Sequence, residues 1–205
     1  MIDLYTWGTP NGRKVSIMLE AVQAEYRVTS INILNNEQFA ADFLNISPNN
    51  KIPAIIDSDG PNHEPISVFE SGAILLYLAE KHGKFIPSDP VKRVQMLEWL
   101  MWQMGSFGPF LGQAHHFNRF APEEIPYAVQ RYNTEAQRLW GVLDKRLSNR
   151  EFIVDDLSIA DFAIYPWTAR FEWQKIDLTT FPHVKNWMQR MESIAAVQKG
   201  MAIPD

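Results

Sequence analysis

Three short segments in the first third of the chain bring together donors, a cation and a carboxylate of the kind needed to hold an amino-acid-like anion. Thr9-Pro10-Asn11-Gly12 separates a strand-like run from a helix-like one. It therefore stands at a helix N-terminus, where free amides and the positive dipole end stabilise an anion. The Thr9 hydroxyl and the Asn11 amide sit where they can donate to it. If the anion is a thiolate, such donors lower a thiol pKa from about 8.5 toward neutrality. Taken alone, the four residues are just a turn. Glu70-Ser71 lies at another strand-to-helix junction. Its plain reading is a cap, with Ser71 at the N-cap and Glu70 an acid favoured by the dipole. Its chemical reading is an amino-acid clamp: Ser71 and the helix amides take a carboxylate, and Glu70 takes an ammonium. A γ-glutamyl group carries both.

Between these lies Lys51-Ile52-Pro53-Ala54-Ile55. A proline opening a strand is commonly an edge residue. In cis it would turn the preceding N–H and C=O outward, toward an extended peptide ligand. Lys51 beside it can meet a carboxylate. Gln38, after the second strand, can reach the far end of such a ligand or simply sit in solvent.

The elements that must position these residues follow from periodicity and turns. Ile2 to Trp7 reads as a strand. Val15, Met18, Leu19 and Val22 fall at helical spacing, and Tyr26 to Ile33 reads as a second strand. Gln38 to Leu44 reads as a short helix with Phe39 and Phe43 on one face. Ile52–Asp57 and Pro65–Phe69 flank the turn-rich SDGPNHE and read as a hairpin. Ser71 is placed to cap GAILLYLAEKH, and Gly83 to end it. The order β-α-β-α-β-β-α, with its first two strands parallel, is a thioredoxin-like fold.

Residues 84–90 carry two prolines and read as a linker between a domain at 1–83 and a domain at 91–205. The second domain reads as all-helical. Leu97, Leu100, Met101 and Met104 form a stripe expected to stop at Gly105-Ser106-Phe107-Gly108-Pro109. A helix follows Pro126, with Tyr132, Ala136, Leu139, Leu143 and Leu147 on one side. Ser158-Ile159-Ala160-Asp161 is a capping box with Asp in the place of Glu. A last helix is expected from Pro182 to Ser193.

The formal charge of -5 argues against a nucleic-acid partner. No long apolar run indicates a membrane span and no signal peptide is indicated, so a cytoplasmic protein is expected. With no cysteine in the chain, a thiol nucleophile must come from a bound small molecule. His115 and His116 are adjacent and point different ways on a helix, so no metal is expected. Trp7, Phe107, Phe110, Phe117 and Trp167 are candidates to line an apolar pocket.

Taken together, NKIPAI, ESGAILLYLAE and SIADFAIYPW resemble the glutathione transferase superfamily along essentially the whole chain. TPNGRK, ISPNNKIPAI, LGQAHHF and IPYAVQRY resemble its bacterial Nu class more closely, whose members include disulfide-bond reductases. The resemblance implies glutathione as co-substrate and a homodimer. It implies that Thr9 and Asn11 contact the glutathione sulfur and that Ile52 pairs with the cysteinyl part beside cis-Pro53. Glu70 and Ser71 would hold the γ-glutamyl end, and Gln38 and Lys51 would face the glycine end. Arg131 would be supplied to the partner's site. Asp161 would be structural. The classes whose own cysteine forms a mixed disulfide are excluded, and Tyr5, inside the first strand, is read as packing rather than catalytic. The resemblance favours reduction of small disulfides by the bound thiolate, with peroxidase side activity. Conjugation to electrophiles or a non-catalytic glutathione-binding module are the alternatives.

Overall fold

The computed structural model describes residues 1–204. The chain divides into two compact units, Met1–Ile86 together with the stretch from Ile194 on, and Pro87–Ser193. The first unit opens with β1 (Ile2–Thr6), α1 (Pro10–Val22), β2 (Tyr26–Ser30), α2 (Ala41–Ile46), β3 (Ala54–Asp57), β4 (Ile66–Phe69) and α3 (Ser71–His82). The sheet runs β2-β1-β3-β4. Strands β1 and β2 are parallel, and β3 is antiparallel to both β1 and β4. Central β1 points Ile2, Leu4 and Thr6 into the interior. Leu4 lies beside Val28 on one side and Ile55 on the other. Against these strands α1 buries Val15, Met18, Leu19 and Val22, and α3 buries Ile74, Leu75 and Leu78. This is the thioredoxin-like order expected from the sequence.

Around α2 the structure differs from expectation. Ala40 is extended (φ -61°, ψ 139°), so a single 3-10 turn at Glu37–Phe39 is cut off from α2. Phe39 and Phe43 therefore do not share a face: Phe39 is 56% exposed and Phe43 is 3% exposed.

The second unit is helical: α4 (Pro90–Trp102), α5 (Gly108–His115), α6 (Pro126–Leu147), α7 (Ile159–Thr168) and α8 (Pro182–Glu192). The glycines at 105 and 108 do not interrupt a helix. A wide, π-type turn at Gln103–Phe107 carries α4 into α5, and Pro109 falls just after it, in the first turn of α5. The α4 core residues are Met96 and Leu100, while Met101 stands 56% exposed. On α6, Ala136, Leu139, Leu143 and Leu147 are buried as expected, with Trp140 among them.

Helix α7 is buried on every side, so its N-terminal amides need partners inside the protein. The Ser158 side chain accepts from the Asp161 N–H, and Asp161 in turn ties the helix start to its surroundings. Its carboxylate accepts from the Ile153 N–H, the Ser158 N–H and hydroxyl, and Trp187 Nε1, each at 3.0 Å. Burial pushes the Asp161 carboxyl up to about 6 against these four donors. A second polar network crosses this unit. Trp140 Nε1 donates to Gln174 Oε1 at 2.7 Å, and Gln174 Nε2 donates to the Trp167 carbonyl at 2.8 Å. The same Nε2 lies 3.1 Å from His115 Nε2, which therefore accepts. His115 stacks on Trp167, and burial, aided by Arg170 and Arg119, pushes it down to about 4.

The last helix, α9 (Ala195–Met201), was not foreseen, and it belongs to the first unit rather than to the helical one. It packs on α1 so closely that a β-carbon at Gly200 would collide with the backbone of Ile17. Ser16 Oγ donates to the Gly200 carbonyl at 2.6 Å.

Two outcomes are expected. Asp161→Ala leaves several buried donors unpaired and lowers the unfolding free energy by about 2–4 kcal/mol, read from a denaturant midpoint. For His115, the folded value lies below the unfolded value near 6.5, so the unfolded chain takes up the proton first. Stability is then full above pH 6.5 and falls, by up to about 3 kcal/mol, as pH drops through that window toward 4. His115→Asn should flatten that slope in pH-dependent melts.

Candidate functional site

Three chain segments meet at one end of the sheet. Tyr5, near the end of β1, lies opposite Ala54, the first residue of β3, and Ala54 lies opposite Phe69, the last residue of β4. The β1–α1 turn, the Ile52-Pro53 approach to β3 and the β4–α3 junction are therefore neighbours. Residues far apart in sequence share one edge.

Thr9 occupies the N-cap of α1 with extended backbone (φ -108°, ψ 162°). Its Oγ1 accepts from the Gly12 N–H at 3.2 Å, so the hydroxyl proton is left to donate elsewhere. Asn11 follows at the second helical position, beside the dipole's positive end. Gly12 is required by space, because a β-carbon there would collide with Thr6 Oγ1 and the Trp7 carbonyl. The glycine lets α1 begin hard against the end of β1.

The Ile52–Pro53 peptide is cis. The β3 ladder starts at Ala54, so the Ile52 backbone stands outside it. The loop before it is anchored by Ser47, whose hydroxyl donates to the Lys51 carbonyl at 2.8 Å while its N–H donates to Phe43 O. Lys51 itself is exposed.

At the third segment the structure corrects the expected cap. Glu70, not Ser71, occupies the N-cap of α3, and its side chain makes no capping hydrogen bond. Its backbone is left-handed (φ 68°, ψ 116°), a conformation that costs a non-glycine residue on the order of 1–3 kcal/mol. Ser71 becomes the first helical residue, 6% exposed, and its Oγ lies 3.4 Å from Lys14 Nζ.

The remaining candidates are placed separately. Gln38 sits in the 3-10 turn before α2, half-buried, with its Oε1 enclosed and without a hydrogen-bond partner among the described residues. Arg131 belongs to the second unit, exposed on α6, in a cleft of about 530 Å³ walled by Phe110, Tyr127, Gln130, Thr134 and Glu135. Tyr5 packs on Phe43 and belongs to a cluster with Ile31, Ala54 and Ile52. Within the second unit the aromatic candidates stand in separate places. Phe107 and Trp167 are core residues, Phe110 lines the Arg131 cleft, and Phe117 stacks on Tyr132 and faces a different cleft of about 300 Å³. Sequence reasoning missed Lys14, which looks like a solvated residue on an amphipathic helix and is only 1% exposed.

No group of three or more His, Asp or Glu among the described residues is arranged to hold a metal ion, and no described helix is long and apolar enough to cross a membrane.

Comparison with known proteins places these features in a family. The chain matches the glutathione S-transferase N-terminal domain over residues 1–80 and the C-terminal domain over residues 109–195. It is 50% identical to the disulfide-bond oxidoreductase YfcG of Escherichia coli K12 over 98% of this chain and 94% of that one. It is 42% identical to YghU, a second disulfide-bond oxidoreductase of that bacterium, over 98% of this chain and 74% of the other. Among solved structures it superposes on a Pseudomonas putida glutathione transferase holding one glutathione disulfide per subunit. That match has a TM-score of 0.96 and 43% identity, covering 100% of this chain and 92% of the other. A Burkholderia graminis glutathione transferase with two glutathiones per subunit matches with a TM-score of 0.94 and 41% identity, covering 100% and 88%. With both domains matched and the fold shared along its length, the chain belongs to the glutathione S-transferase family of enzymes.

Proposed function

We propose that this protein is a cytoplasmic, homodimeric, glutathione-dependent disulfide reductase whose bound glutathione supplies the reactive sulfur. The observation that carries the reading is the capped start of α1. Thr9 Oγ1 is committed as an acceptor to Gly12, which leaves its proton to donate, and Asn11 stands one residue inside the helix. Donors and a dipole end at that place favour a thiolate over a thiol. The chain has no cysteine to compete for the role.

The chemistry then runs in two exchanges. The bound thiolate attacks one sulfur of an external disulfide, forming a glutathione mixed disulfide and expelling a thiolate that takes a proton. A second glutathione thiolate attacks the glutathione sulfur of that intermediate and releases oxidised glutathione and the second substrate thiol. Two glutathiones are oxidised for each disulfide reduced. The relatives solved with glutathione disulfide or with two glutathiones support a site with room for both sulfurs.

The other residues divide the tripeptide among them. Ile52, outside the β3 ladder beside cis-Pro53, pairs with the cysteinyl backbone. Glu70 and Ser71 take the γ-glutamyl ammonium and carboxylate. Lys51 and the enclosed Gln38 Oε1 face the glycine end, and the partner's Arg131 completes the site. Exposed Val91, Val94 and Met101 on one stretch of α4 support a dimer, since such apolar area is usually covered.

Glutathione-affinity retention and turnover of hydroxyethyl disulfide test the reading together. Retention without turnover would favour a binding module, and turnover only of electrophilic aromatic halides would favour conjugation. Asn11→Ala is expected to cut kcat about 10²-fold while changing glutathione affinity little. Ser71→Ala should do the opposite, weakening binding about tenfold with kcat largely kept. Glu70→Gly removes the strain of a left-handed glutamate, so its melting temperature should match or exceed that of the protein while glutathione retention is lost. A clear drop in melting temperature would show that Glu70 holds the fold rather than a ligand.

A further inference from the structure

Lys14 lies one turn beyond Asn11 on α1, and its side chain is 1% exposed. An ammonium buried to that degree costs several kcal/mol unless its surroundings answer it. Its Nζ reaches Ser71 Oγ at 3.4 Å, linking α1 to the first residue of α3. Burial pulls the Lys14 amine well below its ordinary value, and the charge of Glu70 pulls it back.

In the Lys14–Ser71 bond Nζ is the donor and the Ser71 oxygen the acceptor, which leaves the hydroxyl's own proton turned away from Lys14. A ligand carboxylate can only accept, so it needs that proton turned toward it. With a neutral partner in place of Lys14, the Ser71 hydroxyl could turn inward and donate to the wrong side. A cation behind Ser71 also attracts the carboxylate, while exposed Glu70 attracts an ammonium. The two charges match the two ends of an α-amino acid.

We propose that Lys14 is a positioning residue for the amino-acid end of the ligand, fixing the Ser71 hydroxyl as a donor and setting a positive charge behind the α-carboxylate. The proposal rests on the reading of Glu70 and Ser71 as the γ-glutamyl clamp. Lys14 touches Ser71 and acts through it.

The test compares Lys14→Met, Ser71→Ala and the double variant for binding of glutathione and of its analogue carrying an amide in place of the glutamyl α-carboxylate. Lys14→Met should weaken glutathione about tenfold and leave the amide analogue within about twofold. It should add less than about twofold to the loss caused by Ser71→Ala, because coupled residues are not additive. It should also melt no lower than the protein, since a buried charge has been exchanged for a side chain of similar volume. Lys14→Gln, which keeps a donor without the charge, is expected to recover part of the affinity, and it carries the comparison if the methionine variant does not fold. Equal weakening of both ligands, full additivity with Ser71→Ala, or no change in glutathione affinity would overturn the role of Lys14 while leaving the clamp standing. Failure of the unaltered protein to bind glutathione would overturn the clamp and this proposal with it.

Discussion

Helix α1 is gripped at two places where backbone meets backbone with no room for a β-carbon. Near its start, Gly12 lies against Thr6 and the Trp7 carbonyl. On another face, Ile17 lies against Gly200 of α9, and Ser16 closes that contact with a hydrogen bond. Close packing of this kind leaves a helix little freedom to tilt or slide. The positions of the Thr9 cap, of Asn11 and of Lys14 all depend on it. A site built at a helix end is only as well placed as the helix.

The opposite side of the site is built differently. The chain accepts a left-handed glutamate at the β4–α3 junction and a buried lysine on α1 beside it, two features that each work against stability. They are tolerated because a tightly packed interior surrounds them: Ile74, Leu75 and Leu78 anchor the α3 turns that follow, and Val15, Met18 and Leu19 flank Lys14 on α1. Thr9 is a relaxed cap that keeps a proton to give, whereas Glu70 is a strained one that keeps its carboxylate out of the capping role. Two helix starts of the same unit are thus capped by opposite means.

Much of this could be read from the residues. The alternation of β-like and helical runs, the hairpin around SDGPNHE and the proline in KIPAI are local signals, and the first seven elements follow them. The residues that escaped were those whose setting depends on distant chain. Ala40 is an unremarkable helix former, and only its extended backbone splits the expected Gln38–Leu44 helix. Ser71 looks like a cap by composition, but the cap is decided by the φ of Glu70, which no composition encodes. Met101 fits a helical stripe, yet the wide turn that follows α4 and the packing around Met96 and Leu100 leave it outside. Lys14 is hidden by the habit of placing lysines in water. Helix α9 is short and its apolar face is small, so only its contact with α1 marks it.

That last contact makes the first unit discontinuous in sequence. Its sheet and first three helices leave the ribosome early, but the piece that covers Ser16 and Ile17 comes only after all of Pro87–Ser193 has been made. At ~5–20 residues per second this interval is on the order of ten seconds. For that time the flank of α1 that carries Ile17 is bare, and the helical unit is free to fold first. Emergence of α9, rather than completion of the sheet, is then the event that finishes the first unit.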